Sequence, residues 1–409
     1  MERIETLIVG GGQAGLSLSY YLSQERHEHL VLDAADRPAS AWRNDRWDSF
    51  CLVTPNWTFS IPGAEYDGDD PHGFMLKDEI VSRFERYVER NNLPVRYGER
   101  VLSVSPNERG YTVETGQGLW HAQNVVIATG LYQKPKIPSF GARLSSRILQ
   151  LPSGKYRNPE ALPPGAVLVV GSGQSGCQIA EELYQAGRKV YLCLGSAGRA
   201  PRRYRGKDIV EWLLLTGFIE RTVENLPSPR ARFAALPQVS GKNGGHTLNV
   251  HQFYRDGVTL LGRLEGTQEE LIRLAPGLQE CLARVDEFEA NVLKMVDKYI
   301  AKKGLGAPPE TLPRLSDGYA ASEILELDLK EAGISTVIWA MGYAYDYSLV
   351  RLPVTDEFGF PITKGGVTRY PGLYFAGMPW LDIQKTGVLH GVKEHTRSIA
   401  AHILNQQEM

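Results

Sequence analysis

Two stretches of the chain carry the same glycine device. Leu7-Ile8-Val9 runs into Gly10-Gly11-Gly12-Gln13-Ala14-Gly15, and Leu168-Val169-Val170 runs into Gly171-Ser172-Gly173-Gln174-Ser175-Gly176. Each spells Gly-x-Gly-x-x-Gly after a short apolar run. Residues at helical spacing follow: Ala14, Leu18, Tyr21 and Leu22 in the first, Ile179, Ala180, Leu183 and Tyr184 in the second. That order predicts a buried parallel strand, a tight turn and an amphipathic helix. Glycines let the backbone approach a pyrophosphate, and the helix start offers it free N–H groups and partial positive charge. The chemistry implied is the binding of two dinucleotides.

The residues downstream separate the two sites. A second strand, Leu30-Val31-Leu32, ends on Asp33-Ala34. A carboxylate at a strand tip accepts hydrogen bonds from ribose hydroxyls, so the first loop suits FAD or NAD. Asp33 lies 23 residues after Gly10, and the same step from Gly171 reaches Leu194, followed by Gly195 and Ser196. The acid is missing there, and GRAPRRYRGKD begins at Gly198. An acid would repel a 2′-phosphate, whereas an arginine can grip it with two charge-assisted bonds. The second site therefore reads as one for NADP(H). Ser196, Arg199 and Arg203 are its candidates, and spacing does not choose between the arginines. Arg205 and Lys207 read as a solvated loop.

Other elements must hold these loops in place. Ile80, Phe84, Tyr87 and Val88 share one helical face, a strand follows near Val95, and residues 99–122 read as an antiparallel meander. The expected fold class is α/β, with two Rossmann-like dinucleotide-binding domains, the second inserted into the first, a small β-meander and a helical insert. The expected boundaries are 1–150 with 318–409 for the first domain and 151–317 for the second, with the insert at about 207–317. After Pro276 the insert carries a stripe of Leu278, Leu282, Val285, Phe288, Val292, Val296 and Ile300. Such a stripe covers the second domain, closes a lid or pairs with another subunit as a homo-oligomer; the first is the usual answer.

Composition narrows the class. With 42% hydrophobic residues, 22% charged and a formal net charge of -2, the chain reads as a soluble globular protein with no nucleic-acid or anionic-membrane partner. No apolar run has the length of a membrane span, and the first strand begins beside Met1, so a cytoplasmic protein without a leader is expected. Cys51, Cys177, Cys193 and Cys281 form no close pair, which excludes a local redox dithiol. His246/His251 and His390/His395 are each five apart, a poor spacing for two ligands on one helical face, and no metal is expected.

Further motifs carry a resemblance. Val125-Val126-Ile127 leads into Ala128-Thr129-Gly130, Thr336 and the residues after it lead into Ala340-Met341-Gly342-Tyr343, and PGLYFAGMPW, containing Gly377, occupies 371–380. With the two loops, these resemble the single-component flavin-dependent monooxygenases of the flavin-containing and YUCCA-like type over nearly the whole chain. The resemblance implies FAD on the first loop and NADPH on the second. Ala128, Thr129, Gly130 and Gly377 would contact FAD, and Gly342 would mark the return from the NADPH domain. A helix from about Gly387 to Asn405 would direct its N-terminus at the flavin, with Lys385 nearby. The implied reaction is reduction of FAD by NADPH, formation of a C4a-(hydro)peroxyflavin with O2, and oxygenation of a small amine, sulfide or carbonyl substrate.

Within AWRNDRWDSFCLVTPNW, Trp42 and Arg43 resemble a segment that lies along FAD. Thr54 and Asn56 fall where relatives place a catalytic side chain beside the flavin. Trp47 and Trp57 read as core. The chain also departs from the family's Phe-x-Gly-x-x-x-His-x-x-x-Phe/Tyr linker. Phe140-Gly141 begins it, but alignment on Tyr156 puts Pro152 at the histidine position. Two alternatives follow: an NADPH dehydrogenase or oxidase that inserts no oxygen, and a dinucleotide-sensing module without turnover.

Overall fold

The computed structural model describes residues 2–234 and 236–406. The chain opens with β1 (Glu2–Val9), α1 (Gln13–Gln24), β2 (His29–Leu32), α2 (Lys77–Arg90) and β3 (Val95–Arg96), followed by β4 (Val101–Asn107), β5 (Gly110–Thr115) and β6 (Gly118–Ile127). They form one sheet in the order β3-β2-β1-β6-β5-β4. The first four of these run parallel, and β4 and β5 turn back as the meander. Leu7, Ile8 and Val9 are buried, as strands covered on both faces require. Register does the positioning: Val9 pairs with Leu32 on one side and Ile127 on the other. Three strands therefore end at one level, bringing Gly10, Asp33 and Ala128 together.

The second unit repeats the plan. It contains β7 (Leu149–Pro152), β8 (Ala166–Val170), α3 (Gln174–Gln185), β9 (Val190–Cys193), β10 (Thr259–Leu261), α4 (Leu278–Lys303) and β11 (Ile334–Trp339). Its five strands are all parallel, in the order β7-β11-β8-β9-β10. Val170 pairs with both Cys193 and Trp339. The chain then returns to the first sheet through β12 (Leu373–Phe375), which lies parallel to the end of β6, and closes on α5 (Val392–Asn405), which packs against α1.

Sheet membership corrects the expected boundary at 318. Ile334–Trp339 is the second strand of the second sheet, so the return to the first unit falls after Trp339. Composition misses this, because a short apolar strand looks the same in either parallel sheet, whereas the resemblance that put the return at Gly342 agrees with it.

The insert covers its own unit. Leu282, Val285, Val292, Val296 and Ile300 of α4 are buried, the last three against Ala200, Tyr204, Ile209 and Trp212. Glycines in left-handed conformation, Gly277 at φ 100° and Gly304 at φ 62°, bound this helix. Among the described residues no helix is long and apolar enough to cross a membrane.

Candidate functional site: two dinucleotide cradles

Gly10 adopts φ 111°, and a Cβ there would lie 2.5 Å from the Ala128 carbonyl oxygen. Gly171 adopts φ 106°, and its Cβ would lie 2.6 Å from the Ala340 carbonyl oxygen. At Gly15 and Gly176 a Cβ would meet the carbonyl oxygen of the loop's own first glycine at 1.9 and 1.8 Å. These four positions accept only glycine, because the loop packs against its helix and the neighbouring strand end. Gly12 and Gly173, which open α1 and α3, have nothing within 4 Å of an added Cβ. Glycine there leaves space over the helix N-terminus. Both cradles thus have the cleared backbone that a pyrophosphate needs.

The likeness extends to the strands alongside. The N–H of Gly10 donates to Leu32 at 2.8 Å, as that of Gly171 does to Cys193 at 3.1 Å. Ala128 donates to Val9 at 2.8 Å, as Ala340 does to Val170 at 2.9 Å. Gly130 (φ 75°) and Gly342 (φ 79°) follow at matching places, with nothing near an added Cβ. Ala128-Thr129-Gly130 and Ala340-Met341-Gly342 are thus counterparts, one beside each cradle.

The strand tips differ. Asp33 accepts the N–H of Gly11 on Oδ2 at 2.6 Å and that of Ala35 on Oδ1 at 2.7 Å, while Ala34 between them is exposed. In the second cradle the backbone N–H of Gly195 donates to the Ser172 hydroxyl at 2.9 Å, and Ser196 is exposed. The tip residues themselves, Leu194, Gly195 and Ser196, carry no carboxylate.

Each loop is tied down by its glutamine. Gln13 donates to the Gly387 carbonyl at 2.9 Å. Gln174 donates to the Val239 carbonyl at 2.5 Å and accepts the Val239 N–H at 3.1 Å. Ser175, beside it, is half-buried. Gln238 bonds to the Ser172 carbonyl and, at 3.2 Å, to that of Ala197. Gln238 and Val239 bring the insert across the second loop, a role sequence does not reveal, since no periodic pattern or motif surrounds them.

The basic run divides in a way that its spacing hides. Arg199 is buried: Nη2 donates to Asp286 at 2.6 Å and Glu289 at 2.8 Å, and Nε donates to Glu289 at 3.0 Å. Burial opposes its charge, but the carboxylates of Glu289 and Asp286 outweigh burial and raise its pKa. Arg202 is buried as well, bound to Asp208 and the Val53 carbonyl. Arg203 is exposed, resting on the Gly244 and Gly245 carbonyls. The two arginine candidates for a phosphate thus differ in a way that spacing does not show: Arg199 is held by carboxylates and Arg203 is not. In this conformation only Arg203 is free to meet one, because α4 supplies acids that charge counting along the loop does not include.

Around the far end of the first cradle, Gly377 (φ 78°) brings the turn after β12 onto α1, where its Cβ would lie 2.4 Å from that of Ala14. The expected helix start at Gly387 is also corrected. Gln384–Gly387 forms a separate tight turn, closed by the Thr386 hydroxyl on the Ile383 carbonyl at 2.9 Å and tied by the same hydroxyl to the Met378 carbonyl at 2.6 Å, and α5 begins at Val392. Gly387 packs against Pro379. Lys385 is paired with Glu220 at 3.0 Å.

The aromatic loop forms a wall. Trp42 is half-buried between Phe50 and the Arg46 guanidinium, while Arg43 donates to Glu85 at 2.6 Å. Trp47 is core, packed on Phe50 and Tyr156. Thr54 accepts from the Thr58 hydroxyl at 2.8 Å. Asn56 is buried and its amide is engaged at both ends: Nδ2 donates to Asp70 at 2.9 Å and Oδ1 accepts the Met75 N–H at 2.6 Å. It holds the loop's shape in this conformation. Trp57, half-buried, meets His390 edge-on at 5.5 Å, and burial, then Lys385, lowers the His390 pKa.

The cysteines are free and buried, and burial raises the Cys51 pKa to about 11 and that of Cys193 to about 12. Neither thiol is disposed to ionise near neutrality.

Comparison with known proteins agrees with this geometry. A family profile described as pyridine nucleotide-disulphide oxidoreductase matches residues 7–216. An uncharacterized CzcO-like oxidoreductase of Geobacillus kaustophilus is 31% identical over 406 residues, spanning 98% of this chain and 99% of that protein. Indole-3-pyruvate monooxygenase YUCCA1 of Oryza sativa is 27% identical over 197 residues, 46% of this chain and 48% of that protein. Among solved structures, a flavin-containing monooxygenase from Stenotrophomonas maltophilia aligns over 100% of both chains with a TM-score of 0.69 and 20% identity.

Proposed function

The chain belongs to the pyridine nucleotide-disulphide oxidoreductase family, an oxidoreductase family of FAD and pyridine-nucleotide enzymes, and within it we propose that this protein is an NADPH-dependent flavoprotein monooxygenase. One observation carries the reading. Two cradles of like backbone geometry meet different strand tips, Asp33 in the first and Gly195-Ser196 in the second. Two copies with one tip would serve one kind of ligand; two tips serve two.

Asp33 and the α1 N-terminus hold FAD, accepting ribose hydroxyls at one point and offering N–H groups to the pyrophosphate at the other. Gln174 and the α3 N-terminus hold the nicotinamide dinucleotide in the same manner, and Arg203, exposed and bonded to carbonyls, is the candidate for its 2′-phosphate. Bound FAD would supply hydride acceptance from the nicotinamide and, once reduced, activation of O2, one oxygen atom going to a soft nucleophile or a carbonyl carbon and the other leaving as water. The protein's share is position and exclusion of water. Asn56 braces the loop carrying Thr54 and Trp57, and Trp42 packs against Phe50 beside it. With its cysteines dispersed in sequence, free and buried, the chain offers no dithiol to relay electrons to a disulfide.

The deciding experiment supplies FAD-loaded protein with NADPH, labelled O2 and panels of amines, sulfides and keto acids. Labelled oxygen in a product is the expected result. Pro152 at the linker position favours a second reading, the oxidase that inserts no oxygen. Hydrogen peroxide released mole for mole with NADPH consumed, with no labelled product from any panel, would establish that reading instead.

A further inference from the structure

Arg199, one of the two arginines expected at the second cradle, is engaged by carboxylates. The segment carrying Arg199 begins at the strand tip: Gly195 bonds to Ser172, and Gly198 lies under the Phe288 ring, where a Cβ would come within 2.3 Å. One turn of α4 therefore rests directly on the chain beside the adenosine end of the cradle. From that turn Asp286 and Glu289 take three of Arg199's five N–H groups. The remaining two, on Nη1, are buried without a partner. To reach a phosphate, the guanidinium would have to leave two carboxylates without their counter-charge. Asp286 is further fixed by Tyr319, whose hydroxyl donates at 2.8 Å, and by His251 at 3.2 Å.

We propose that Glu289 and Asp286 set the coenzyme choice of this protein by sequestering Arg199, so that the cradle accepts NADPH without selecting it over NADH. The inference rests on the reading of the second loop as a nicotinamide-dinucleotide site. Glu289 is the specificity-determining residue of the pair, because its carboxylate takes two of the three bonds and Asp286 has other duties. Two acids against one guanidinium leave excess negative charge beside the ribose, which offsets the attraction that Arg203 offers to a 2′-phosphate. The hydroxyls of NADH lose the usual strand-tip carboxylate but meet no compensating selection for phosphate.

The test is direct binding of NADP+ and NAD+ to the FAD-loaded protein, read by calorimetry with no turnover. The wild type is expected to bind both, with affinities within about tenfold of each other. In Glu289→Gln the ratio should shift toward NADP+ by at least about threefold, since Arg199 is partly released. In the double variant Glu289→Gln/Arg199→Gln that gain should vanish. A wild-type preference for NADP+ above about tenfold overturns the proposal with no variant needed. So does a smaller shift in Glu289→Gln, or a gain that survives loss of Arg199. Failure of the wild type to bind either dinucleotide overturns the cradle reading itself, a separate result.

Discussion

The backbone N–H of Gly195 donates to the side-chain oxygen of Ser172, at 2.9 Å, and this bond reverses the one in the first cradle. There the loop supplies the N–H, from Gly11, and the strand tip supplies the side chain, from Asp33. Exchanging the roles lets the second unit brace loop against strand without a carboxylate. The brace is mechanical in both cases, but only in the first does the strand tip itself carry a carboxylate. One fold thus presents two electrostatically different mouths.

Asp33→Ala tests the first mouth. It removes the acceptor of two backbone N–H groups, Gly11 at 2.6 Å and Ala35 at 2.7 Å, along with the ribose acceptor. Bonds to a charged group contribute about 1.5–3 kcal/mol each. FAD affinity should fall about a hundredfold, or about 3 kcal/mol, measured by flavin fluorescence on reconstitution. Asp33→Asn, which keeps an acceptor without the charge, should fall between the variant and wild type. An alanine variant that retains its full yellow colour through dialysis would contradict the assignment.

The two loops can be disabled one at a time. Gly15→Ala would place a methyl 1.9 Å from the Gly10 carbonyl oxygen, and Gly176→Ala one 1.8 Å from that of Gly171. Neither contact can exist, so each loop must move off its helix. Gly15→Ala is expected to be purified without flavin. Gly176→Ala should remain yellow but lose measurable dinucleotide binding and flavin reduction. If both variants lose flavin, the cradles are not independent sites.

The glycine loops, Asp33 and the missing second acid are legible in sequence because each is local: a strand, a turn and a helix start within a few residues of one another. The fate of Arg199 is not legible, because its partners Asp286 and Glu289 arrive from a helix 87 and 90 residues away. The same holds for Gln238 and Val239, whose irregular segment crosses the second loop from 65 residues beyond Gln174. Gly387 fails for another reason. Glycine often precedes a helix, but here the Thr386 hydroxyl closes a turn of its own and delays the helix to Val392. Asn56 has the residue type expected of a catalytic amide, yet its bonds to Asp70 and Met75 bridge positions 14 and 19 residues away, which composition does not predict.

The two arginines should respond differently to removal. Arg203 is exposed and bonded only to carbonyls, so Arg203→Ala should leave the melting temperature unchanged. It should raise the KM for NADPH by up to about fivefold, the scale of an exposed ion pair, and leave that for NADH unaltered. Arg199→Ala instead strands two carboxylates beside a packed helix. Breaking a buried pair from one side costs about 3–5 kcal/mol, so this variant should melt well below the wild type whichever coenzyme is present. Equal melting temperatures for the two variants would show that the clamp seen at Arg199 does not persist in solution.

His395 gives the fold a defined pH response. It lies on α5, buried, and burial lowers its pKa to about 4. Its Nε2 has no partner, and Gly366 packs so closely that an added Cβ would lie 3.1 Å from the ring. The unfolded chain takes up this proton near pH 6.5, the ordinary value, while the folded chain resists until about pH 4. Stability is therefore fully present above pH 6.5 and is lost progressively as the pH falls toward 4, a difference of roughly 3 kcal/mol. His246 has the opposite sign. Its hydrogen bond to Glu181 at 2.7 Å raises its pKa, so its contribution is present below 6.5 and lost as the pH rises through the raised value. Urea unfolding of wild type and His395→Leu between about pH 4 and 7 isolates the first effect, because the other titrating groups are shared. The wild-type curve should fall more steeply than the variant's between about pH 6.5 and 4, and keep a constant gap from it above 6.5. Parallel curves would mean that the imidazole gains its proton without leaving the fold.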